Sequence, residues 1–173
     1  MTPSEKRAAL LNFCDPDSDN PLHNAPFIFE NKTIAARRGT LVYINEKLPN
    51  IDAASINDYQ ESVVKNAVSA INGKLEHCIF SPNNIFSDKN KFDLIYKGAK
   101  TIEAFEICGK YYSANLIKYV LTCFKGENIR FSNPYKALNQ RDIEAIFFKL
   151  NDAAGTIWPL LVDSCIEIKP CQK

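Results

Sequence analysis

The chain has 173 residues, a length that fits one domain or at most two small ones. Hydrophobic residues make up 46% and charged residues 24%, an ordinary globular composition that buries a core without staples. With 21 basic and 20 acidic residues the net charge is +1, so any basic excess of the kind that holds DNA has to be local.

No apolar run approaches the ~20 residues that span a bilayer, and the opening MTPSEKRAALLNF has no signal-peptide h-region. These features predict a cytoplasmic protein with no membrane partner. Asparagine occurs 17 times and arginine only five times, and the wealth of Asn, Lys, Ile, Phe and Tyr suggests an AT-biased coding sequence, such as some bacteria and their phages carry. The six cysteines (Cys14, Cys78, Cys108, Cys123, Cys165, Cys171) form no C-x-x-C pair. His23 and His77 stand in no metal-ligand spacing, so reduced thiols, no metal and no cofactor are expected. Cys108 and Cys123 lie in apolar stretches and read as small hydrophobes. His77-Cys78 lacks a third partner for metal or nucleophile chemistry.

In chain order, residues 2–13 predict a short helix. Thr2 caps it, Pro3 suits the first helical position and Glu5 completes a capping box. Ala8, Leu11 and Phe13 supply part of its apolar face. The stretch Asp15 to Pro21 ends it; its acids lack the glycine and distal glutamate of a calcium loop, so it reads as a solvated turn. Residues 26–45 predict two or three strands, with Arg37-Arg38-Gly39-Thr40 as a hairpin turn. Ser55-Ile56-Asn57-Asp58 opens a helix to about Ile71, and its stripe of Ile56, Tyr59, Val63, Ala67, Val68 and Ile71 predicts a core-facing side. Residues 81–92 read as a surface loop between two halves, about 2–75 and 92–168.

The second half predicts strands at Phe92–Tyr96 and Ile102–Tyr112 and a helix over Ala114–Lys125 capped by Ser113, with Gly126 at its end. Strands at Asn128–Ser132, Ile143–Leu150 and Thr156–Val162 follow, the last burying Trp158 among Ile157, Leu160 and Leu161. The expected fold is therefore α+β, with tandem αβββ units and antiparallel sheets forming one domain. No nucleophile elbow, phosphate loop, dinucleotide fingerprint or zinc-protease motif is present in the sequence. Glu103 and Glu106, three apart in a strand, face opposite sides. Asp142 and Glu144 share a face but sit at a strand entrance, where solvated charges are normal. A non-enzymatic role is expected.

Short motifs carry a family resemblance. Tyr111-Tyr112-Ser113-Ala114-Asn115-Leu116 through Leu121 resembles the strand and Y-L-x-x-x-L opening of a clamp helix. Gly126-Glu127-Asn128-Ile129-Arg130-Phe131 is similar to the strand that follows such a helix. Ile157-Trp158-Pro159-Leu160-Leu161-Val162 resembles the terminal strand of a bacterial clamp domain, with Trp158 where methionine precedes proline. Ile34 to Val42 resembles its strand–A-T-D-G–strand hairpin, with Arg37 and Arg38 replacing threonine and aspartate. The chain thus resembles the DNA sliding clamp of the bacterial DNA polymerase III beta-subunit type, closest to small clamp-like proteins found in phages. The helix near Ser55–Ile71 has no counterpart in that pattern.

The resemblance implies a clamp-like fold and a protein that associates with DNA or with replication factors. Family rings hold six such domains, so the resemblance implies either that single-domain chains assemble into a homo-oligomer or that this one does something other than encircle DNA. Helix faces at 2–13 and 114–125 would look toward DNA and present Lys6, Arg7, Lys118 and Lys125. The Arg37–Arg38 turn is expected to contact an anionic surface, either nucleic acid or an acidic partner. The competing reading is an immunity or counter-defence protein that blocks a toxin or a host defence protein.

Overall fold

The computed structural model describes residues 1–97, 100–125, 128–136 and 144–171. Gly126, Asp142 and the start of the strand expected from Ile143 lie outside them.

Helix α1 spans Pro3–Leu11, and Thr2 and Glu5 close the expected capping box. A single turn, α2 (Pro21–Asn24), is capped by the Asn20 side chain. Strands β1 (Phe27–Phe29), β2 (Lys32–Arg37) and β3 (Thr40–Ile44) then form an antiparallel meander. The β2–β3 turn closes over Arg38 and Gly39; Gly39 takes φ +91°, a region that a side chain disfavours. Helix α3 (Asp58–Asn72) starts at Asn57, which exchanges hydrogen bonds with Gln60 in a second capping box. The segment expected to be a loop instead holds a helical turn, α4 (Pro82–Ile85), whose Ile85 is buried. Strands β4 (Lys91–Tyr96), β5 (Thr101–Ile107) and β6 (Lys110–Ser113) lead into α5 (Ala114–Cys123), which Ser113 caps. The short strands β7 (Arg130–Phe131) and β8 (Tyr135–Lys136) precede β9 (Glu144–Lys149), β10 (Ala153–Ile157) and β11 (Ile166–Pro170).

The fold is α+β with two antiparallel sheets, as expected. The larger runs β1-β2-β3-β10-β9-β7 with β8 also on β9, and the smaller runs β11-β4-β5-β6. The two halves share the larger sheet: β9 and β10, from the end of the chain, pair through β10 with β3 from its start. Strand β11 was not expected, because its Ile-Glu-Ile-Lys-Pro alternation is short and mostly exposed.

The central strands β3 and β10 are buried along their whole length, because the larger sheet is covered on both faces. Alternate side chains serve two cores. Ala35, Val42, Ile44, Ile146 and Phe148 meet α1, α5 and the smaller sheet, while Ile34, Leu41, Tyr43, Ala145 and Phe147 meet α2 and α3. Among the described residues the buried side-chain polar atoms have partners: Thr40 Oγ1 donates to the Thr156 carbonyl at 2.7 Å and the Tyr43 hydroxyl to Asn72 Oδ1 at 2.5 Å.

Three expectations about faces are corrected. In α1 the buried residues are Ala9 and Leu10, with Phe13 and Cys14 beyond, while Ala8 and Leu11 are exposed. The last turn, rather than a full helical stripe, enters the core. In α3 the core takes Val64, Val68, Ala70 and Ile71, and leaves Tyr59 78% and Val63 43% exposed. The helix has two adjacent apolar stripes, and only one fits against the sheet. Trp158 lies past the end of β10 and is only half-buried. Its backbone N–H donates to the Gly39 carbonyl at 2.8 Å, which ties the chain at this point to the β2–β3 turn.

Candidate binding cleft

The stripe of α3 that stays off the sheet and the early end of β10 leave space between them. A cleft of about 440 Å³ opens there, with α3 as one wall and the β2–β3 turn and Trp158 as the other. Its floor is Leu41, Phe147 and the small residues Ala36, Ala67 and Ala70; Leu22 and His23 of α2 close one end. The size is in the range of sites that take a small ligand or a few side chains. The small alanines make the hollow: a leucine at Ala67 or Ala70 would fill it.

The buried threonines of the lining, Thr40 and Thr156, spend their hydroxyls on strand carbonyls, and the charged groups stand at the rim. Arg38 is exposed and makes no hydrogen bond or ion pair among the described residues. Its charge is felt by Tyr96, whose hydroxyl pKa burial and Asp163 push up and Arg38 pulls down. Arg37 is half-buried. Its guanidinium lies 5.8 Å from the Tyr119 ring centre and donates to the Asn12 carbonyl at 3.4 Å. Arg37 therefore packs against α5 and the end of α1, and Arg38 alone of the two turn arginines is left exposed. Burial pulls the His23 pKa down, against Asp15, which keeps that ring neutral near pH 7. Among the described residues the cleft lining holds no carboxylate.

The other expected binding residues do not gather at one place. Lys6 is turned into ion pairs with Glu46 and Asp152, its side chain only 13% exposed. Burial would lower its pKa, but the hydrogen bonds to Asp152 and Glu46 outweigh that and raise it. Lys6 thus pins α1 to the loops after β3 and before β10. Arg7 is exposed at the lip of a second hollow, about 380 Å³, between α1 and the segment after β3. Lys118 and Lys125 are exposed on and just beyond α5, a helix that packs beside α1. Three exposed cations on this side are a thin basic surface.

Asp93, Glu103 and Cys171 bring three ligand atoms within 4.8 Å of one another. The Cys171 thiol donates to Asp93 Oδ1 at 3.3 Å, and its pKa is raised by burial and by Asp93. Lys91 answers Glu103 at 3.0 Å. Proton and ammonium already balance the carboxylates. Cys14 and Cys78 are buried, and burial pushes both thiols up to about 11. They are protonated at neutral pH and serve as core.

Sequence reasoning found Arg37 and Arg38 but missed the cleft they border. Two apolar stripes on α3, more than one sheet face accepts, were the available signal. Comparison with family models, with curated proteins and with solved structures gives no match.

Proposed function

We propose that this chain is a non-enzymatic, clamp-like protein that associates with the replication machinery by holding a segment of a partner protein in the cleft beside Arg38. The observation that carries the proposal is the cleft itself: an apolar floor left open in a well-packed fold and bordered by Arg38, which has no ion-pair partner among the described residues. Exposed apolar surface of this kind marks interaction sites. The clamp-like part rests on the sequence motifs, and the two antiparallel sheets with α1 and α5 side by side are compatible with it.

A protein partner is favoured over DNA as the main contact. Affinity for duplex DNA comes chiefly from neutralised phosphates, and of the four cations expected on α1 and α5, Lys6 is engaged by two carboxylates while Arg7, Lys118 and Lys125 are exposed. The test is surface plasmon resonance of the immobilised chain against the replicative polymerase and clamp-loader subunits of its host. Wild type is run beside Val63→Arg, which sets a long cation at an exposed position on the cleft wall. Saturable binding to one of them, weakened at least tenfold in V63R, is expected. No wild-type binding, or equal binding by V63R, overturns the proposal.

A further inference from the structure

Resting on that reading of the cleft, we infer that the segment it holds is an acidic one: an extended peptide of a partner protein with one or two large apolar side chains next to Asp or Glu. The apolar part follows from the floor. A hollow of about 440 Å³ admits about two large side chains, and Leu41, Phe147 and Trp158 offer them only hydrocarbon and aromatic surface. Tyr59, one turn before Val63 on α3 and 78% exposed, continues this surface beyond the cleft mouth.

The acidic part follows from the rim. Arg38 presents a whole guanidinium to solvent with no carboxylate paired to it among the described residues. Arg37 is turned the other way, to the Asn12 carbonyl and the Tyr119 ring beside α1 and α5, so the rim charge is that of Arg38, whose planar guanidinium can take the two oxygens of a carboxylate. The lining offers no competing acid, and neutral His23 adds neither attraction nor repulsion. A single-stranded nucleic acid also brings anions, but it needs a basic track and several stacking faces. Here one exposed cation, Arg38, stands at one end of an apolar hollow, so the peptide fits and the strand does not.

The experiment is selection from a random twelve-residue peptide display library on the full chain. Enriched peptides are synthesised with a fluorescent label and titrated against wild type, Arg38→Asp, Arg38→Gln and the neutral, hollow-filling Ala67→Leu. Arg38 is exposed and Ala67 half-buried on the cleft wall, and matching thermal unfolding of each variant confirms that it is folded. The expected result is enrichment of Asp or Glu beside apolar residues. Affinity should fall about tenfold or more in R38D, less in R38Q, and be lost in A67L. Binders that are lost in A67L but carry no acidic bias and ignore R38D overturn this inference and leave the cleft reading standing. Binders indifferent to A67L overturn both. Displacement of a bound peptide by a short single-stranded oligonucleotide overturns the acidic-peptide assignment in favour of nucleic acid.

Discussion

Gly155→Ala is expected to cost roughly 3 kcal/mol, the upper end of what overpacking a core usually costs. Gly155 sits in the middle of β10, opposite Phe148 of β9 and Val42 of β3. A Cβ there would lie 2.4 Å from Phe148 Cζ and 2.7 Å from the Leu41 carbonyl oxygen. Neither neighbour gives way. The Phe148 ring is fully buried with the Phe131 ring 5.8 Å away, and the Leu41 carbonyl belongs to the backbone of a central strand. Set against a total stability of about 5–15 kcal/mol, such a loss is large. It should appear in urea unfolding as a lower midpoint with an unchanged slope. Gly155→Ala combined with Phe148→Leu should recover part of the loss, because the two positions share one space. A midpoint equal to wild type would refute the packing described for β9 and β10.

Trp158→Ala is expected to separate binding from folding. A fully buried tryptophan costs about 3–5 kcal/mol when truncated to alanine. Trp158 is half-buried at the cleft, so about 1–2 kcal/mol is expected by the same scale. Aromatic walls of binding sites are frequent hot spots, and affinity for a cleft-bound peptide should fall roughly tenfold to a hundredfold. A loss of stability above about 4 kcal/mol with little change in affinity would return Trp158 to the core.

The sequence made local structure legible wherever one residue type answers one backbone demand. Thr2 with Glu5, Ser113 before α5, and Gly39 at the β2–β3 turn are of this kind. It was less informative where tertiary partners decide. Tyr59 and Val63 repeat at helical spacing as well as Val64 and Val68 do, and only the sheet below α3 selects between the two stripes. The strand order was hidden for a similar reason. That β10 joins β3, which lies over a hundred residues earlier, rests on side chains meeting across the sheet, and no local pattern encodes such a partner. The same limit applied to the cations. Lys6 and Lys118 look alike in sequence, yet Lys6 meets Glu46 and Asp152, both brought in from distant loops. Arg37 and Arg38 stood out because a turn needs neither, and they do border the cleft. The cleft itself came from absences: small side chains at Ala36, Ala67 and Ala70, and a strand that stops before Trp158.

The central claim is that a partner is held between α3 and the β2–β3 turn. Amide hydrogen exchange of the chain, alone and saturated with the partner or selected peptide, tests it most directly. The predicted result is added protection confined to the β2–β3 turn at residues 36–41, to α3 around residues 59–70, and to residues 156–158. Protection centred instead on α1 and α5, or along the β11 edge of the smaller sheet, with these three segments unchanged, would contradict it.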